Sequence, residues 1–129
     1  MQKGGGMKKY TRVYSDEIGE THFEDVEIDL VSVDFAPPAP ALNLSVFTEA
    51  KNFGFVNAPP SWYGDWHPTP KRQMFVYISG KIEARVSDGE VRVFGPGSVT
   101  LLEDTTGKGH TSRVIGDQEV LCVVIQLED

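Results

Sequence analysis

Three histidines, one cysteine and a tight group of aromatic residues carry most of the chemistry available to this 129-residue chain. His67 closes a segment rich in Pro, Trp and Tyr and precedes the apolar run Met74–Ile78. His110 follows the polar loop Glu103–Gly109 and opens the run Thr111–Ile115. Imidazole titrates near neutral pH, so either ring could act as a general base, and either could ligate a divalent metal. A carboxylate would have to orient such a base, and Asp104 is the candidate. Either histidine could equally be an ordinary loop residue without a ligand. His22 lies among Glu20, Glu24 and Asp25 and reads as a solvated strand residue with no assigned role. Cys122, inside Val120–Leu127, reads as a buried core thiol. No basic neighbour is present to activate it, and a lone cysteine forms no intrachain disulfide.

Trp62, Tyr63 and Trp66 could pack the end of a domain or wall a ligand site, because small-molecule pockets combine aromatic walls with a few polar groups. Lys71 and Arg72 are either solvated charges or, for Arg72, a planar fork able to meet a substrate carboxylate. Thr105, Thr106 and Lys108 line the loop before His110. Gly107 and Gly109 give that loop unusual backbone freedom, so it could be a lid or a simple turn.

The elements that must hold these residues are strands. No helix-period segment of useful length appears, and alternation or short apolar runs between turn residues dominate. Val26, Ile28 and Leu30 alternate with acidic residues, and Val31 and Val33 follow on the opposite parity, which predicts a bulge or a buried stretch. Phe35–Pro40 breaks the pattern. Leu42–Phe47, Phe53–Val56, Met74–Ile78, Ile82–Val86, Val91–Val93, Val99–Leu102, Thr111–Ile115 and Val120–Leu127 read as strands, and Asp88-Gly89 is a hairpin signal. Asn57–Pro70 reads as irregular. About nine or ten short strands with frequent turns predict an all-β sandwich or barrel. If Gln73 points inward, Phe75 and Tyr77 do so too, with Met74, Val76 and Ile78 on the opposite face.

Apolar residues make up 40% of the chain and charged residues 24%, an ordinary globular balance. Eight prolines and thirteen glycines suit many turns. The net charge of −7 disfavours nucleic acid and anionic membrane surfaces as partners. The expected organisation is one β-barrel domain over residues 8–129. Residues 1–7, which contain Gly4-Gly5-Gly6, read as a disordered leader or cloning remnant. No stretch has the length and apolarity of a signal peptide, leaving the cytoplasm as the expected compartment.

The run from His67 to Gly80 resembles the first cupin motif, with His67 at the first histidine and Gly80 at the closing glycine. Thr69 stands where that motif has its second histidine and Gln73 where it has a glutamate. Pro96-Gly97, the strand Ser98–Leu102, the loop Glu103–Gly109 and His110 resemble the second motif. The resemblance covers about residues 40 to 127 and extends to a mostly uncharacterised subgroup of small single-domain cupins. It implies a double-stranded β-helix, or jelly-roll, barrel with His67, Gln73 and His110 facing a pocket.

Cupins of the usual pattern bind a divalent metal through three histidines and a glutamate. The resemblance therefore implies a candidate metal set of His67, Gln73 and His110 for iron, nickel, zinc, copper or manganese, or no metal at all. Asp65, Glu103 or Asp104 would have to supply the missing charge. Three functions follow as expectations. One is a metal-dependent dioxygenase, isomerase or lyase acting on a small polar or anionic molecule. Another is a metal-free isomerase or epimerase, with His67 or His110 as base and Tyr63 or Tyr77 as acid. The third is a binding or sensing module without turnover. Expected ligand contacts are Trp62, Tyr63, Trp66, Thr69, Arg72, Phe75, Tyr77, Asp104 and Lys108. A homodimer is expected by resemblance, with Tyr10–Tyr14 as a possible exposed pairing edge.

Overall fold

The computed structural model describes residues 8–128, so the expected leader at residues 1–7 lies outside the described residues. Twelve strands are present among them: β1 Lys9–Ser15, β2 Thr21–Glu27, β3 Val31–Val33, β4 Leu42–Leu44, β5 Ala50–Ala58, β6 Tyr63–His67, β7 Gln73–Ser79, β8 Ile82–Val86, β9 Val91–Phe94, β10 Val99–Leu102, β11 His110–Val114 and β12 Val120–Leu127. The all-β expectation is met. No helix is long and apolar enough to cross a membrane.

A six-stranded sheet runs β2-β1-β10-β7-β12-β5, and a four-stranded sheet runs β6-β11-β8-β9. The alternating apolar residues of both sheets meet in one core, where Val13, Tyr77, Val86, Phe94, Val120 and Cys122 are all buried. Burial alternates along β8, with Ile82, Ala84 and Val86 buried between less buried Glu83 and Arg85. That is the period of a strand with one wet face. Thr21 stitches one corner. Its hydroxyl donates to the Gly109 carbonyl at 2.7 Å and accepts from the Ser87 amide at 2.8 Å, and Thr21 is fully buried.

Several expectations need correction. Tyr10–Tyr14 is no open edge, because β1 lies between β2 and β10, antiparallel to the first and parallel to the second. The edges of that sheet are β2 and β5. The segment read as irregular contains β6, which pairs with β11 despite its proline-rich surroundings. The alternation expected to run on through Leu30 stops at Glu27. Beyond it the chain leaves the body and forms the separate ribbon β3-β4, where Val31, Val33 and Leu42 are exposed.

Candidate functional site

Strand alternation on β7 carries Gln73, Phe75 and Tyr77 toward the space between the sheets, as expected. They line a cavity of about 290 Å³. His67, Trp62, Thr69, Thr100, His110 and Ser112 supply most of the other polar or aromatic lining. Aliphatic side chains from β1, β5, β8, β10 and β12, with Phe23 and Phe94, supply most of the rest. No Lys, Arg, Asp or Glu lines it among the described residues.

His67 and His110 are direct cross-strand partners on β6 and β11, with ring centroids 4.8 Å apart. Two local features bring them together. First, the register moves two residues along β11, from His110 to Ser112, against three along β6, from His67 to Gly64. This bulge switches the parity of β6, so His67 faces the cavity although Tyr63 faces out. Second, Gly109 has a φ of +74°, and a Cβ there would collide with the His67 carbonyl carbon and oxygen. Glycine therefore permits both the backbone turn and the close approach. Gly64 has a similar use, since a Cβ would meet the Trp62 indole 2.7 Å away.

Behind the pair lies Asp104, completely buried. One carboxylate oxygen accepts from Thr69 Oγ1 at 2.7 Å and the other pairs with His110 Nδ1 at 2.7 Å. The Thr69 amide also donates to the Asp104 carbonyl at 2.9 Å. A buried carboxylate accepting from Nδ1 leaves Nε2 of neutral His110 as the lone-pair nitrogen. His67 is held likewise, its Nδ1 2.6 Å from the Asp65 carbonyl oxygen, so Nε2 is again the unshared nitrogen.

Farther along the cavity, Tyr77 stacks on Phe94 with ring centroids 5.8 Å apart. Burial drives its phenol well above the ordinary range, so the hydroxyl stays protonated. The neighbouring Thr100 hydroxyl is buried beside the Tyr77 phenol. Cys122 also faces this end, and burial pushes its thiol up to about 11.

Of the expected contacts, Trp62, Thr69, Phe75 and Tyr77 line the cavity, and the other five lie elsewhere. Tyr63 and Trp66 lie outside it, along a shallow surface groove with Glu83 and Arg113, because the bulge leaves them on the outer face of β6. Arg72 donates to Glu103 at 2.7 Å and to the Glu128 carbonyl at 3.0 Å. Lys108 pairs with Glu20 at 3.0 Å on the surface. Asp104 does not line the cavity and reaches it only through His110 and Thr69. Thr100 and Ser112 were not anticipated. Ser112 follows His110 by one strand period, the signal that could have found it.

The metal set implied by resemblance is tested by the donors themselves. Thr69 spends its hydroxyl hydrogen on Asp104, and Gln73 Oε1 accepts from Gln126 Nε2 at 3.1 Å. Asp65 turns to Tyr63 and Trp66, and Glu103 binds Arg12 and Arg72. Burial pushes the Glu103 carboxyl up, but the two arginines outweigh it and hold it below the usual range. Among the described residues, no third His, Cys, Asp or Glu joins the two imidazoles in a metal-holding group. The residues do not fit a three-histidine, one-carboxylate centre.

No protein-family model and no curated protein matches the sequence. Solved structures do. The cupin domain of Schizosaccharomyces pombe Cnp3 is similar at 16% identity and a TM-score of 0.50, covering 95% of this chain and 85% of that one. A cupin 2 conserved barrel domain protein from Salinispora arenicola is 20% identical with a TM-score of 0.49, covering 77% and 76%. At these identities the likeness concerns the fold, which is that of cupin domains.

Proposed function

With the cupin fold as premise, we propose that the protein binds a small uncharged molecule in its barrel and performs proton transfer on it, with His110 as general base. The observation that carries this reading is the buried Asp104–His110 pair at the wall of a cavity without charged lining. Asp104 fixes the ring's tautomer. Nε2 takes a proton from the ligand, and the carboxylate stabilises the imidazolium that forms. His67, one ring away, is the group positioned to relay or return that proton. Tyr77 serves as a hydrogen-bond donor rather than as the acid, since its proton is held tightly.

The lining also bears on the ligand class. Burying an unpaired anion in a site without a cationic side chain is costly. With Arg72 and Lys108 engaged elsewhere, support for an anionic substrate falls away, and a largely apolar molecule with a carbonyl or hydroxyl group fits better. The Thr100 hydroxyl on the lining supplies a second polar anchor.

The test follows exchange of carbonyl-adjacent protons for solvent deuterium by NMR, across a panel of uncharged ketones and aldehydes. Exchange by the wild type that falls by on the order of 100-fold or more in His110→Gln supports the base. Binding without exchange, unchanged in His110→Gln, would reduce the protein to a ligand-binding module. Metal content by mass spectrometry is measured in parallel. Near-stoichiometric divalent metal, lost in both His67→Ala and His110→Ala, would replace this reading with a metal-dependent one.

A further inference from the structure

The outer face of the four-stranded sheet carries a second concave site, which shares no lining residue with the cavity. Tyr63 and Trp66 on β6, 56% and 46% exposed, border a shallow groove of about 280 Å³. Thr111, Glu83, Arg85 and Arg113 complete its lining. Strand pairing sets these side chains in rows. Arg113 lies opposite Tyr63 on one side and Glu83 on the other, and Thr111 lies opposite Arg85. Successive rows on one face of a strand are about 7 Å apart. Asp65 braces the aromatic side, one oxygen accepting from the Tyr63 hydroxyl at 3.2 Å and from the Trp66 amide at 2.9 Å.

We propose that this groove binds a neutral saccharide chain, with the apolar face of a sugar ring stacked on Trp66 and Tyr63 and its hydroxyls met by Arg85, Arg113 and Glu83. Three observations lead there. Two large aromatic side chains held side by side in solvent offer a flat apolar platform with polar tips, which suits a ligand that is apolar on one face and polar at its rim. The polar groups across the groove are available. Arg12, Arg72, Arg92 and Arg113 are ion-paired, and Arg85 alone among the five arginines has no carboxylate partner among the described residues. Arg113 spends only Nε on Glu83, at 2.7 Å, which leaves its terminal N–H groups as donors and the second Glu83 oxygen as an acceptor. Such planar donor and acceptor pairs match neighbouring hydroxyls on one ring. Charge then sets the class. Arg85 and Arg113 are balanced by Glu83 and Asp65, on a body of net charge −7. A polyanion is repelled by the body and a cation by the two arginines, so an uncharged, hydroxyl-rich ligand meets least opposition.

The test is affinity electrophoresis through gels containing galactomannan, xyloglucan, glycol chitin or dextran, with dissociation constants taken from the dependence of mobility on polymer concentration. At least one polymer should retard the wild type. Trp66→Ala should weaken that binding about 10-fold or more, and Arg85→Met roughly 3-fold or more. Circular dichroism and thermal unfolding identify variants that have lost the fold, and Tyr63→Ala supplies a second aromatic variant. Retardation by none of the four polymers would overturn the proposal and leave the Trp, Tyr and Arg cluster to a protein partner. Retardation as strong in folded Trp66→Ala and Tyr63→Ala as in the wild type would overturn it too, by placing the sugar elsewhere on the molecule.

Discussion

The Asp104–His110 corner and the β3-β4 ribbon treat their side chains in opposite ways. At the corner, both oxygens of a fully buried carboxylate have partners within 2.7 Å, and two sheets meet around them. Along the ribbon, Val31, Phe35 and Leu42 are more than half exposed and neither strand joins another sheet. Burial without pairing is costly for a charge, so the corner is tolerable only if sewn shut. Exposure of apolar groups costs less per residue but accumulates over a patch. The corner thus stores specificity within one chain, whereas the ribbon leaves its apolar side chains facing solvent.

The largest effect should come from Asp104→Ala. It strands the Thr69 hydroxyl and the His110 Nδ1 proton in the interior, and roughly 1–3 kcal/mol of stability should be lost for each stranded group in a denaturant titration. Asp104→Asn should keep more of the fold yet lose the tautomer control, so proton-exchange activity should fall far more than stability. Parallel losses in both quantities would mean that the corner is purely structural. Thr21→Val should cost about 1–3 kcal/mol by the same titration, since it unpairs the Gly109 carbonyl and the Ser87 amide inside the body.

A pH effect comes next. His22 is gripped by Asp16 and Asp88, each 2.8 Å from a ring nitrogen, and these carboxylates raise its pKa above the ordinary 6.5. A raised folded-state pKa stabilises below the unfolded value and is lost as pH climbs through the folded one. The denaturation midpoint should therefore decline above about pH 6.5 in the wild type, with a shallower decline in His22→Gln. Equal slopes would show that the clip does not titrate as described.

Ribbon substitutions sharpen the contrast from the other side. Val31→Ser and Leu42→Ser should each change unfolding free energy by less than about 0.5 kcal/mol. A larger loss would place the ribbon in the folding unit of its own barrel. The smallest effect concerns Cys122, whose thiol is raised to about 11 by burial. It should react slowly with a thiol reagent in the native state and more slowly still with the cavity filled.

Much of the barrel was legible because alternation and turn residues are local signals. β8, with Asp88-Gly89 after it, and β7 with its inward Gln73, Phe75 and Tyr77 could be read from period two alone. The parity of β6 could not. Trp62, Tyr63 and Trp66 look equivalent in sequence, and a bulge defined by pairing with β11 puts only Trp62 on the cavity. β1 was similarly hidden. Its place between β2 and β10 depends on a parallel pairing with residues about ninety positions away.

The residues themselves determined the all-β class and the histidine pair at the motif positions, because strand period and turn chemistry act between near neighbours. They also narrowed the site's charge, since Thr69 and Gln73 carry none. Tertiary structure decided which polar groups meet. It spent Arg72 on Glu103 and Lys108 on Glu20, and it set Asp104 behind His110 rather than in the cavity. Those outcomes depend on which strands lie side by side, and hydrogen-bond reach of about 3 Å cannot be read from spacing along the chain.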